Sequence, residues 1–425
     1  MVAKKKEETN IRVEVIAGLT TFFTMAYILI INPTLMSNAG IDFQAVFIAT
    51  AISAGICSII MGVFANRPLA LASGMGLNAY FVYSVLLGSG LSFGTALVAV
   101  FVASLLVFLL ALSKIKISDA ISDSFKHALI AGLGLFLVFI GMQNAHFVET
   151  SSATVVTLGN LLAPKALIAI LGLFLTTMLI TKRVNGAMLI AIMLTTTVAM
   201  AIGLTPMPEK IFELPIGFEK TFMKLDFSAL TDTRILPVIW TFFIISFFDI
   251  VGTLTALLAK AGYVDKKGKV KGLENALTIN GLSGMIGAAF GVPTIITYLE
   301  NASGIEAGGK TGKVAIVVGL LFLISVFFFP LIKSIPIEAA APAIIITGIF
   351  MATAMGGIKL DDNTEAIPAL LTIATIPFTF SISHGIGVGA ITYVFLKLVT
   401  MRHREIHPVM YIIALFSILE FAKVF

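Results

Sequence analysis

Hydrophobic positions along this 425-residue chain gather into runs of about twenty, separated by short polar clusters. A helix of that length crosses a hydrocarbon core roughly 30 Å thick, so the pattern predicts membrane spans. They fall at about 13–32, 45–64, 68–87, 91–112, 127–142, 165–181 and 186–203 in the first half. The second half carries them at about 236–258, 271–290, 292–307, 312–330, 335–356, 364–380 and 386–400. The longest polar stretch, residues 204–234, separates seven spans from seven. An odd number per half makes the second half enter the membrane from the opposite face, which is the geometry of an inverted-topology repeat. The predicted fold is an all-α polytopic membrane protein of about fourteen spans. Its expected divisions are a first repeat over 1–203, an extracytoplasmic connection over 204–235, a second repeat over 236–400 and a cytoplasmic or interfacial tail over 401–425. The tail's shorter apolar run ends near Glu420 and Lys423, as an interfacial helix would.

Spans 3 and 10 depart from this pattern. Gly291 to Gly312 runs GVPTIITYLENASGIEAGGKTG. Thr294, Ile295, Ile296 and Thr297 favour extended backbone, and Pro293 stands at the start of that segment, where a strand tolerates it. Helix-forming residues resume near Leu299. Glu300 is then expected in the first turn, where the positive end of the helix dipole favours an anion. Asn66 to Phe81, NRPLALASGMGLNAYF, repeats the order of proline, short apolar segment, glycine-rich break and helix, with Asn78 as its buried polar group. Pro68 and Pro293 lie 225 residues apart, about half the chain. Extended backbone at membrane depth survives only where protein covers it or it lines a watery cavity. Paired interrupted segments in corresponding halves therefore point to a transporter's binding site.

Composition agrees. Hydrophobic residues make up 58% and charged residues 12%, against roughly 45–50% and 25% in soluble domains, and the mean hydropathy is +1.04. No polar region is long enough for a soluble catalytic domain. The first apolar run is too long for a signal-peptide core and lacks a small-residue cleavage site. The net charge of +5 reflects cytoplasmic loops rather than nucleic-acid binding. With the N-terminus inside, only Lys165, Lys210, Lys220, Lys224, Arg234 and Lys333 of the 28 basic residues fall on the outer side. The positive-inside rule thus supports the span count and places both termini in the cytoplasm. Cys57 is the single cysteine, so neither an intrachain disulfide nor a cysteine metal cluster can form.

Ionisable groups inside spans are costly and are functional candidates by default. Asp249 lies mid-span in WTFFIISFFDIVGTL, and Glu300 follows the break in span 10. Asn78 is a weaker candidate, because a buried Asn also glues helices together. Tyr80, Phe248 and Tyr298 adjoin these polar groups and could stack on a flat ring. Gly74, Gly76, Gly252 and Gly304 permit close approach of backbone or ligand, although small-residue helix packing explains them equally well. GIEAGGKT, Gly304 to Thr311, matches the phosphate-loop pattern letter for letter. It does not open directly from a strand of a soluble α/β sheet, so Lys310 and Lys313 are better taken as cytoplasmic anchors. No nucleophile–base pair or metal-ligand spacing points to an enzyme, and no cofactor is implied.

Four stretches in order, AGLTTFFTMAYILIINP, GMGLNAYF, FFDIVGTL and TYLENASGIEAGGKTG, resemble the second family of nucleobase–cation symporters. The likeness is to its azaguanine-resistance branch, within the xanthine/uracil permease superfamily, and covers almost all of the chain. The resemblance implies a seven-plus-seven repeat with core and gate domains, and short antiparallel strands in spans 3 and 10 that meet at the substrate. It also implies proton-coupled uptake of adenine, guanine or hypoxanthine across the plasma membrane, often by a homodimer. Glu300 falls on the glutamate that grips the base, Asp249 on the span-8 carboxylate and Asn78 on the branch's span-3 asparagine. Two positions depart from the branch. Ser246 stands where many members carry a second acid, which bears on proton number, and Asn301 stands where Ser is more usual, which bears on substrate preference.

The expected function is import of a purine base with protons. Glu300 and Asn78 would face its polar edge, with Asp249, Gly76, Tyr298, Phe248, Asn301 and Gly304 around it. Asp249 and Glu300 are the expected proton-coupling groups. The alternatives are a same-fold carrier of uracil, xanthine or an anion, and a passive channel. Sidedness is directly testable with cysteines placed at Lys267 and Lys220 in a Cys57-free background. An impermeant maleimide should reach position 267 only from the cytoplasm and position 220 only from outside. Both residues labelling from one side would break the seven-plus-seven arrangement.

Overall fold

The structure is a computed structural model that describes residues 10–113, 121–264 and 270–422. Lys4, Lys5, Lys6, Lys114, Lys116, Lys266, Lys267, Lys269 and Lys423, used above to orient the chain, lie outside the described residues. In the first half, α1 (Ile11–Met25) and α2 (Ile28–Ser37) form one broken span, followed by α3 (Phe43–Ile60). Span 3 comprises β1 (Leu71–Ser73), α4 (Met75–Ala79) and π-helical turns over Tyr80–Gly88. Next come α5 (Phe93–Ser113), α6 (Asp123–Asn144), a hairpin of β2 (Val148–Ser151) and β3 (Val155–Leu158), α7 (Pro164–Thr181) and α8 (Ala187–Ala201).

The second half opens with α9 (Ile235–Lys260) and α10 (Leu273–Phe290). Its broken span is β4 (Ile295–Thr297) and α11 (Asn301–Glu306). There follow α12 (Gly312–Ser325), short α13 (Phe329–Lys333), α14 (Ile337–Ala352), α15 (Asn363–Thr379), α16 (Ile382–Val399) and α17 (Pro408–Phe421). By length and composition, nine helical stretches among the described residues could cross a membrane unaided. Helix occupies every one of the fourteen predicted runs, with the strands inserted in the third and tenth. Two features lie outside the hydrophobic pattern. One is the β2–β3 hairpin. The other is the interruption of span 1 at Ala26–Tyr27, where neither glycine nor proline stands. Helix α17 runs along α16 and carries apolar side chains on both faces, Met410 and Ile413 buried, Ile412 and Leu415 outward.

The packing has the symmetry of the repeat. When each element is exchanged for its counterpart seven spans away, the neighbours are preserved. Helix α3 packs on α12 as α10 packs on α5, and α5 packs on α9 as α12 packs on α1. Likewise α6 packs on α15 as α14 packs on α7, and α7 on α8 as α15 on α16. These contacts define two bodies. The core holds α1–α5, α9–α12 and the strands β1 and β4. The gate holds α6–α8 and α14–α16, with α6 against α14 at its centre.

At the centre of the core, β1 and β4 pair antiparallel, with Leu71 opposite Thr297, Ala72 opposite Ile296 and Ser73 opposite Ile295. Two strands cannot satisfy their own outer edges, and in a membrane no water will do so. Side chains from the preceding helices take that role. Ser58 Oγ of α3 accepts from Leu71 N at 2.9 Å and donates to Leu71 O at 3.0 Å. Asn280 Oδ1 of α10 accepts from Thr297 N at 2.8 Å. Asn301 extends the ladder by one rung. Its Oδ1 accepts from Ala70 N at 2.7 Å, and its Nδ2 donates to Ala70 O at 2.9 Å and Tyr298 O at 2.6 Å.

Asn301→Ala therefore orphans two buried backbone groups, the N–H and C=O of Ala70, each at a cost of roughly 1–3 kcal/mol, while Tyr298 O keeps its bond from the backbone N–H of residue 301. The variant should show a clearly lower unfolding midpoint in detergent. Thr197→Val, on an exposed face of α8, should leave the midpoint unchanged.

Candidate binding site

The strand pair delivers the predicted residues to one region. Glu300 is the residue immediately before α11, at its N-cap position rather than within its first turn, and is partly exposed. The Tyr27 hydroxyl, from the interruption of span 1, donates to its Oε1. Beside it, the Tyr298 hydroxyl donates to Ser73 O and ties the end of β4 to β1. Ser303, one turn into α11, meets Thr24 of α1 at 3.0 Å. Asp249 lies on α9, partly exposed, with Thr253 Oγ1 3.4 Å from its Oδ1 and close enough to Glu300 and Tyr298 for direct electrostatic interaction. Gly252, one turn beyond, faces open space. Leu299 is 58% exposed. Both carboxylates are thus partly exposed, with open space at Gly252 one turn from Asp249.

The other predicted residues divide by role. Asn78 is fully buried, and its amide is engaged within the protein. Its Nδ2 donates to Asn32 Oδ1 at 2.7 Å, and the amide exchanges hydrogen bonds with Ser73 Oγ at 2.7–3.0 Å. Asn32 in turn donates to Thr50 Oγ1 at 2.7 Å. This network joins spans 1, 2 and 3 where strand becomes helix. Asn301 is spent on the backbone of Ala70 and Tyr298. A Cβ on Gly304 would lie 2.0 Å from Thr21 Oγ1, so that glycine serves close packing of α11 on α1. A Cβ on Gly76 would meet Met351 and Leu133 of the gate at 3.3–3.7 Å, so Gly76 lies on the seam between the bodies. Phe248 is buried against Phe247, with Lys126 Nζ of α6 5.4 Å from its ring centre. Tyr80 is buried and packs edge-on against Phe242.

The phosphate-loop look-alike already holds an anion of the protein's own. The buried carboxylate of Glu14 accepts from Lys310 N and Thr311 N, each at 3.2 Å. Those amides are part of the cradle a nucleotide phosphate would need.

One end of the seam is closed. Ser84 Oγ, in the last turns of span 3, donates to Phe380 O at 2.5 Å. The Phe380 ring lies 5.6 Å from Phe136, 5.4 Å from Phe139 and 6.3 Å from Tyr83. A cavity of about 180 Å³ beyond it has a mixed lining that includes Tyr80, Ser84, Arg234, Val238 and Ser383. An apolar one of about 300 Å³ lies between α9, α16 and α17. Neither is lined by Asp249 or Glu300.

Residues 12–388 match the model of the permease family that takes its name from the xanthine and uracil permeases. The chain belongs to this family. It is 36% identical over 96% of its length to the adenine permease AdeQ of Escherichia coli, covering 92% of that protein. To the guanine/hypoxanthine permease PbuO of Bacillus subtilis it is 36% identical, covering 99% of each chain. Its fold matches the transmembrane domain of a cyanobacterium bicarbonate transporter, BicA, with a TM-score of 0.67, 16% identity, and 88% and 97% of the two chains covered. That last likeness concerns architecture alone. In this permease, Glu300 and Asp249 stand out in the sequence by their charge inside apolar runs. Tyr27, Ser73, Asn32 and Asn280 do not. Small polar residues in spans are ordinary, and only the β1–β4 register shows what these four hold.

Proposed function

We propose that this multi-pass permease is a secondary active transporter that imports purine nucleobases, adenine, guanine or hypoxanthine, by proton symport. The observation that carries the reading is the position of Glu300. It follows the strand pair at the junction of the two repeats, near Asp249, and is partly exposed. A purine edge presents N–H donors, and a carboxylate can accept two of them. Tyr298 and Phe248 supply aromatic surface beside the carboxylates. An anion carrier would prefer helix N-termini without a facing carboxylate, so Glu300 argues against one. The names of the related permeases support the purine class. The engagement of the Asn78 amide with Asn32 and Ser73 supports giving the base edge chiefly to Glu300.

Under the charge-based orientation, with both termini cytoplasmic and the protein in the plasma membrane, the Ser84–Phe380 closure lies outside and Gly252 opens inward. The conformation is then the inward-facing stage of an alternating-access cycle in which core and gate rock against each other. The resemblance that implies proton coupling also implies a homodimer. Asp249 is the proposed coupling group. It takes a proton when wetted from outside and releases it when wetted from inside.

Proteoliposome uptake of labelled hypoxanthine, with unlabelled adenine, guanine, uracil and xanthine as competitors, tests substrate class. A pH gradient, acidic outside, should drive accumulation in the wild type. Asp249→Asn mimics the permanently protonated carrier, so exchange of base should persist while gradient-driven accumulation vanishes. A variant that still concentrates base in response to the gradient removes Asp249 as the coupling site.

A further inference from the structure

Tyr27 has no assigned part in transport, yet it occupies an unusual position. Its side chain is fully buried, and it stands at the interruption between α1 and α2. Its single hydroxyl donates to Glu300 Oε1 on the opposite repeat. Thr347 of α14, which belongs to the gate, lies near the same hydroxyl, with its own hydroxyl directed at Met188 Sδ at 4.0 Å. A phenol can donate one hydrogen bond and accept another. Tyr27 thus lies where the gate, at Thr347, comes near the binding carboxylate of the core, to which the phenol donates. The Thr24–Ser303 contact, one turn before Tyr27, fixes α1 against α11 and keeps the phenol in register with Glu300.

A carrier completes its cycle by returning empty. A carboxylate that leaves water without a donor is destabilised, and the base that satisfied Glu300 on the loaded journey is absent on the return. We propose that Tyr27 is a positioning residue that stands in for the substrate on Glu300 when the carrier is empty. This rests on the nucleobase reading of the site given above. On the loaded carrier the base brings its own N–H donors, so the phenol matters less there.

The consequence is a split between two kinds of flux. Net uptake requires the empty return, whereas exchange of internal for external base uses only the loaded carrier. In proteoliposomes, Tyr27→Phe should lower net uptake about tenfold, the weight of one hydrogen bond to a charged group, and leave exchange within about twofold of wild type. Equal loss of net uptake and exchange in Tyr27→Phe would make the residue merely structural and overturn the proposal, as would no change in either. Wild-type exchange of labelled purine in the same vesicles decides the nucleobase reading separately, and only the ratio of the two fluxes decides the role of Tyr27.

Discussion

Backbone that is neither helix nor closed barrel must find hydrogen-bond partners inside the protein when it lies at membrane depth. Much of this structure follows from how that requirement is met. Three residues of β1 and three of β4 satisfy one another, and their outer edges would otherwise be bare. Ser58 and Asn280, on the helices that precede the two strands, cover the edges at Leu71 and Thr297, which are themselves register partners. The two repeats thus solve the same problem with the same device at symmetry-related places. Asn301 adds a side-chain rung that bridges the repeats, and Tyr298 adds another through its hydroxyl.

The site is a product of that solution. A continuous helix through span 10 would bury its own polar groups and present only side chains. The break ends β4 just before Glu300, and α11 begins immediately after it. The carboxylate is thereby held at the boundary between the bodies, with Asp249 approaching from α9. Core and gate pack tightly within themselves and touch each other through few surfaces. One is the ring cluster at Phe380, and others are the approaches of Gly76 to Met351 and of Tyr27 to Thr347. A seam of that kind can be opened and closed without disturbing the strand pair.

Much of this was legible in the chain. Pro68 and Pro293, each ahead of an apolar segment and a helix, marked both broken spans, and Asp249 and Glu300 were conspicuous in apolar surroundings. The spacing of basic loops carried the seven-plus-seven count. Side-chain commitments were not legible. Asn78 and Asn301 have the same chemistry whether they meet a ligand or a backbone amide, and only the register placed Ala70 opposite Asn301. The interruption at Tyr27 lacked any glycine or proline to announce it, because its position is set by tertiary contacts with Glu300 and Thr347. The phosphate-loop pattern was resolved by Glu14, a residue nearly 300 positions away whose carboxylate fills those amides.

The central claim is that the carboxylate of Glu300, set by the strand pair, receives the polar edge of the base. Calorimetric titration of the purified protein with hypoxanthine, wild type against Glu300→Gln, tests it most directly. Glutamine keeps the shape and removes the charge. Loss of one charge-assisted hydrogen bond is worth roughly 1.5–3 kcal/mol, so the dissociation constant should rise from about tenfold to more than a hundredfold in a variant that still folds and inserts. An unchanged dissociation constant would contradict the account.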